Sequence, residues 1–110
     1  MNVQIRSKDI TLNDSTKLHV QGAIDAFEKY SLEITTINVD IKKEKQGVNV
    51  EFDIHIAHNT PVVINQSDDS LDAAIDLAID RASKALRRLH DKITDHKKTG
   101  VKDLEVADAE

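Results

Sequence analysis

Leu71, Ala74, Ile75, Ala78, Ala82, Ala85, Leu86, Leu89 and Ile93 recur at three- and four-residue spacings, which places them along one side of a helix over about residues 70–97. A helix of that length with one apolar flank needs an apolar surface to lie on, because packing of that flank supplies most of its stability. Its start is well marked, since Asp68, Asp69 and Ser70 can accept hydrogen bonds from the free N–H groups of a first turn.

The surface is supplied upstream. Ile37, Val39 and Ile41 alternate with polar residues, as do Val48, Val50, Phe52, Ile54 and Ile56, and Lys45-Gln46-Gly47 separates the two stretches. That pattern predicts a hairpin. Val3 and Ile5 alternate with Asn2, Gln4 and Arg6, which predicts a strand over residues 2–8. Between them Asn13 or Asp14 can cap a first helix, over about residues 14–31, whose apolar positions are Val20, Ala23, Ile24, Phe27 and Tyr30. After His58-Asn59-Thr60-Pro61, the run Val62-Val63-Ile64 predicts a short fourth strand at an edge, with Pro61 at its start, where no ladder N–H is required. The order is βαβββα, an α+β class. The simplest assembly lays both helices on one face of a four-stranded sheet and leaves the other face to water.

Composition narrows the functions. The 110 residues are enough for one core, with 39% apolar and 32% charged side chains and only three glycines and one proline. The expectation is a single domain over residues 1–98 followed by an acidic, mobile tail over residues 99–110. Without cysteine there is no disulfide framework, thiolate metal site or Cys nucleophile. The opening Met1-Asn2-Val3-Gln4-Ile5-Arg6 has no basic stretch followed by an apolar run, so no signal peptide is expected. His55 and His58 lie three apart at a strand end and face opposite ways, while His90 and His96 are six apart among basic residues. Neither pair suits a shared cation. No glycine loop for phosphates and no serine nucleophile motif occurs. Neither an enzyme nor a cofactor is expected, and no metal, membrane or small-molecule substrate.

The formal net charge of −5 hides an asymmetry. Residues 1–80 carry a net −7, residues 81–98 a net +5, and residues 99–110 a net −3. With Leu71 as zero and 100° per residue, Arg81, Lys84, Arg88 and Lys92 fall at about 280°, 220°, 260° and 300°, one stripe. Asp72, Asp76 and Asp80 fall at about 100°, 140° and 180°, on another side. The stripe is either a solvated helix face or a ridge for a polyanion. Phe27, Tyr30 and Phe52 all lie on apolar sides, so no base-stacking platform remains, and the outward sheet residues Asn38, Asp40, Asn49, Glu51, Asp53 and His55 are acidic in sum. What such a chain can do with a nucleic acid is recognise backbone and shape of folded RNA through its helix. The rival class is a protein-interaction module that docks an acidic partner on the same ridge.

The residues resemble those of the bacterial ribosome hibernation factors, the family of the ribosome-associated translation inhibitor and the short hibernation-promoting factor. The resemblance is carried by Leu12-Asn13, His19-Val20, Phe27-Glu28-Lys29-Tyr30, Lys43-Glu44, Gln46-Gly47, Ala74-Ile75-Asp76, Ile79-Asp80-Arg81, Lys84, Leu86, Arg88 and Lys92 in that order. It implies a fold similar to a double-stranded-RNA-binding domain. It further implies a cytoplasmic factor, monomeric when free, that occupies the transfer-RNA and messenger-RNA region of the small ribosomal subunit and inhibits translation under stress. The RNA-binding candidates are Arg81, Lys84, Arg87, Arg88 and Lys92 on the second helix, Lys17 and Lys29 on the first, and Lys43 at the hairpin. Relatives often carry basic residues where this chain has Ala23 and Asp25, and an aromatic where it has Asp72. The acidic end Val101-Lys102-Asp103-Leu104-Glu105 resembles the inhibitor subtype, with the pairing-promoting subtype as the alternative.

Overall fold

A computed structural model describes the chain over residues 1–99, with side-chain surroundings up to residue 94. The elements are strand β1 (Asn2–Lys8), helix α1 (Asp14–Ala26) continued by a 3-10 turn (Phe27–Tyr30), strands β2 (Ile34–Glu44), β3 (Gly47–Ile56) and β4 (Val62–Asp68), and helix α2 (Leu71–Thr99). The sheet order is β1-β2-β3-β4. β1 and β2 pair in parallel and the other two pairs are antiparallel. A parallel pair cannot be joined by a tight turn, and α1 is the crossover that joins this one.

Local chemistry sets the element ends. Asn13 Oδ1 accepts from the Thr16 N–H at 2.8 Å, so the cap of α1 is Asn13 and not Asp14. Ser70 Oγ accepts from the Ala73 N–H at 3.1 Å and does the same for α2. α1 stops at Ala26, five residues short of the expected 31, and the chain continues to Tyr30 as a 3-10 turn. Ser31 sits in the left-handed region (φ 54°) and its N–H returns to the Glu28 carbonyl at 3.0 Å. β4 is longer than its apolar run. Asn65, Gln66, Ser67 and Asp68 continue it because the partner strand continues, pairing Asn49 with Ser67 and Glu51 with Asn65. Side chains bind across that pairing: the Asn49 amide donates to Asn65 Oδ1 at 2.8 Å and to Ser67 Oγ at 2.9 Å. α2 runs to Thr99, two residues beyond the expected end, so that residue belongs to the helix. The acidic segment from residue 100 onward, expected to be a mobile tail, lies outside the described residues.

One core joins the inner sheet face to both helices. Ile37, Val39, Ile41, Val50, Phe52 and Ile54 from β2 and β3 are buried with Val20 and Ile24 of α1 and with Ala74, Ile75, Ala78, Ala82 and Leu86 of α2. Phe27 meets Phe52 edge to face, with ring centroids 6.3 Å apart. Ala74, Ala78 and Ala82 repeat every four residues and are fully buried, so α2 presents small side chains that let its backbone approach the sheet. Each large aliphatic or aromatic residue buried there contributes about 1.5–3 kcal/mol. At the hairpin, Gly47 pairs with Glu44 across the Lys45-Gln46 turn and takes φ +127°, a conformation that disfavours any Cβ. A Cβ there would stand 2.2 Å from the Asp68 carbonyl oxygen, so the hairpin end packs backbone to backbone on the end of β4.

Candidate nucleic-acid interface

The rotation of α2 about its own axis decides what its charged side chains meet. Its buried residues Ala78, Ala82 and Leu86 centre at about 20° in the helical frame, facing the sheet. Two contacts then orient the flanks. Arg81 Nη1 donates to the Asn65 carbonyl at 3.2 Å and to Gln66 Oε1 at 2.9 Å, so the flank at about 280° overhangs the β4 edge. On the other side His19 Nε2 of α1 stands 2.7 Å from Asp76 Oδ1, so the flank at about 140° faces α1. The cationic stripe therefore runs along the outer side of α2 above β4, while Asp76 faces α1 and Asp80, at about 180°, stands in solvent beside Lys84.

Lys84, Arg88 and Lys92 are exposed and succeed one another along that outer side. Lys84 Nζ is 3.1 Å from Asp80 Oδ2, with 58% of the lysine side chain exposed. An exposed pair four residues apart on a helix is worth about 0.5 kcal/mol at most, so a phosphate can take the ammonium from it. Arg87 is exposed too, at about 160°, and sits on the shoulder nearer the acids. The strand below adds no negative charge next to the stripe, because Asn65, Gln66 and Ser67 are neutral donors and acceptors.

The candidates outside α2 are not gathered with these. Lys17 lies about 200° round α1 from His19, so it stands on the side of α1 turned away from α2. Lys29 is in the 3-10 turn, its ammonium 5.4 Å from the centroid of the Tyr30 ring. Lys43 is at the hairpin end, where it shares a cleft with Lys45, Asp9 and Asp69. That cleft adjoins Leu71, about 20 Å of helix away from Lys84. Sequence reasoning missed Gln66 and the Asn65 carbonyl as the partners that hold Arg81. No local signal could have found them, since the contact joins residues fifteen and sixteen apart.

The outward sheet face also differs from its expected acidic character. Asp40, Glu51 and Asp53 do form its middle, but the parallel register sets Arg6 beside Asp40 and Lys8 beside Lys42 on the same face. Arg6 Nε donates to Asp40 Oδ1 at 2.9 Å. The face is thus acidic toward β3 and basic at the β1–β2 corner.

A sheet covered on one side by two helices, one of which carries a basic flank over a neutral strand edge, defines a small α+β binding domain. Its described residues contain no grouping of three or more His, Cys, Asp or Glu that could hold a metal ion, and no helix among them is long and apolar enough to cross a membrane. The chain belongs to the family described as Sigma 54 modulation protein / S30EA ribosomal protein, which matches residues 3–94. Two of the solved structures that share the fold show the extent of the likeness. One is the crystal structure of the Thermus thermophilus Protein Y N-terminal domain, with a TM-score of 0.71 and 20% identity over 81% of this chain and 99% of that one. The other is a ribosomal subunit interface protein from Coxiella burnetii, with a TM-score of 0.73 and 12% identity over 81% of this chain and 97% of that one. At these identities the likeness is one of fold. Among curated proteins none matches.

Proposed function

We propose that this protein is a ribosome-associated hibernation factor that binds ribosomal RNA of the small subunit through the outer flank of α2 and inhibits translation by occupancy. Membership of a family of ribosomal and modulation proteins supports the ribosome as partner. The observation that carries the mode of binding is the alignment of Lys84, Arg88 and Lys92 on one side of α2 over a neutral strand edge, with Asp76 turned toward α1. Four cations on one helix side fit successive phosphates and not base edges, so the contact reads backbone and shape. Arg81 lends one guanidinium nitrogen to β4 and keeps the rest for RNA, with Arg87 as a flanking contact. Bound in the transfer-RNA and messenger-RNA region, the domain excludes both sterically. This needs no turnover; the reading takes the protein as a cytosolic factor, monomeric when free and induced under stress. Lys17, Lys29 and Lys43 stay secondary contacts in this reading.

The finer assignment is to the inhibitor subtype. It rests on the sequence of residues 101–110, with four acids and one base, which would keep a second ribosome away by charge. Deleting them should leave binding intact and, in the presence of the other hibernation factors, let paired ribosomes accumulate in gradient profiles; unchanged profiles would remove the ground for preferring the inhibitor subtype.

Pelleting with purified ribosomes tests the main reading. The triple variant Lys84→Glu, Arg88→Glu, Lys92→Glu should fold normally, because all three side chains stand in solvent, and should stay in the supernatant. Arg81 is better left out of this test, since its bonds to β4 give it a structural share. The α2 contacts alone should give wild-type binding a log-log salt slope of at least roughly −3 to −4, as about four phosphate contacts require. A flat salt response, or a triple variant that pellets like the wild type, refutes the ridge and favours docking of a protein partner elsewhere.

A further inference from the structure

We infer that the corner of the open sheet face at Lys8 and Lys42 is a second site for RNA backbone phosphates, on the side of the domain opposite α2. The inference rests on the ribosomal RNA reading above and extends it from one contact surface to two. Parallel pairing of β1 with β2 puts Lys8 directly beside Lys42. Like charges opposed across a strand pair destabilise it. The row before shows the usual remedy, for Arg6 is matched with Asp40 at 2.9 Å. The lysine row has no such remedy: among the described residues neither ammonium forms an ion pair. Continuing across the sheet, the same row passes to Asn49 and then Ser67, which are bonded to each other, with the Ser67 hydroxyl donating to Glu44 Oε1 at 3.3 Å. The corner is also concave, a hollow of about 470 Å³ lined by the cations Arg6, Lys8 and Lys42, by the acids Asp40 and Glu51, and by Ser7 and Asn49.

Two unpaired ammonium groups side by side, with an arginine one row away and amide and hydroxyl groups beyond, suit an anion with several oxygens. Lys43 and Lys45 line a separate cleft with Asp9 and Asp69 and are not part of this hollow. Of the two acids in the hollow, Asp40 is matched by Arg6 and Glu51 accepts from the Asn65 amide at 3.3 Å, so the excess positive charge lies at the lysine pair, where a phosphodiester strand can follow the corner along β1. A hollow this open takes a strand passing over it, not an enclosed ligand. Because Arg81 is bonded to β4 at one edge of the sheet and Lys8 lies on β1 at the other, the two sites occupy opposite faces and opposite edges of the domain. The domain is then a wedge between two RNA segments.

The test compares wild type, Lys8→Gln/Lys42→Gln, Lys42→Arg and the α2 triple variant in pelleting with small subunits across a salt series, and in anisotropy with a short labelled RNA duplex. The double variant should bind subunits more weakly, with the salt slope shallower by about 2, since each phosphate contact contributes about 0.9. Its melting temperature should equal or exceed that of the wild type, because the opposed charges are gone, and Lys42→Arg should keep both slope and affinity. A double variant with the wild-type slope overturns the second site while leaving the α2 reading in place. A weaker subunit affinity with an unchanged RNA-duplex slope also overturns it, by making the partner an acidic protein. If the α2 triple variant binds as wild type while the double variant does not, the α2 reading fails and the sheet corner stands alone.

Discussion

Replacing Gly47 with alanine should destabilise the domain far more than one methyl group suggests. The new Cβ would stand 2.2 Å from the Asp68 carbonyl oxygen and 3.2 Å from the Asp69 Cα, where ordinary contacts begin near 3.4 Å. Both neighbours are backbone, so no side chain can swing aside. The backbone at φ +127° would itself be strained by about 1–3 kcal/mol with any Cβ present. Moving the end of β4 away would loosen the Val48–Asp68 pairing and disturb the Ser70 cap of α2, each hydrogen bond worth about 1 kcal/mol. The sum is about 2–4 kcal/mol, which for a domain of this size lowers the melting temperature by roughly 10–20 °C. Gly22→Ala is the matched control. Gly22 lies exposed within α1 with nothing within 4 Å of its added Cβ, so alanine there should stabilise by about 0.5–1 kcal/mol. Thermal denaturation followed by circular dichroism reads both variants. If Gly47→Ala melts within 2 °C of the wild type, or Gly22→Ala melts clearly below it, the backbone-contact reasoning is wrong.

Ala78→Asp should unfold the domain at ambient temperature or come close to it. Ala78 is fully buried between α2 and the sheet, and an unpaired carboxylate there costs several kcal/mol, visible as loss of the cooperative melt. Asn13→Ala should cost about 1 kcal/mol in chemical denaturation, through loss of the Thr16 N–H bond that starts α1. Arg81→Ala should lower both stability, by about 1 kcal/mol, and the salt slope of ribosome binding, whereas Lys84→Ala should reduce the slope by about one and leave the melting temperature unchanged. A purely structural Arg81 would leave its slope at the wild-type value.

Periodicity in the sequence was enough to place every strand and helix and to specify the order βαβββα, because strand alternation and one-sided helices are local patterns that burial enforces directly. The cationic stripe was legible for the same reason: on any helix, Arg81, Lys84, Arg88 and Lys92 must share a side. Chain-distant packing settled the rest. Whether that stripe faced α1 or the β4 edge depended on how α2 rolled onto the sheet, and buried Ala74, Ala78 and Ala82 set that roll. The polar half of β4 was invisible in hydropathy, since its pairing is made by backbone and by Asn49, Asn65 and Ser67. Lys17 belonged with the stripe by residue type and stands apart from it in space, because α1 turns His19 toward α2 instead. Lys8 and Lys42 are thirty-four residues apart and were unremarkable until the parallel register of β1 and β2 set one against the other. Sequence patterns determine what each element is, since those energies are local; register and rotation, chosen by the whole core at once, determine which charges meet.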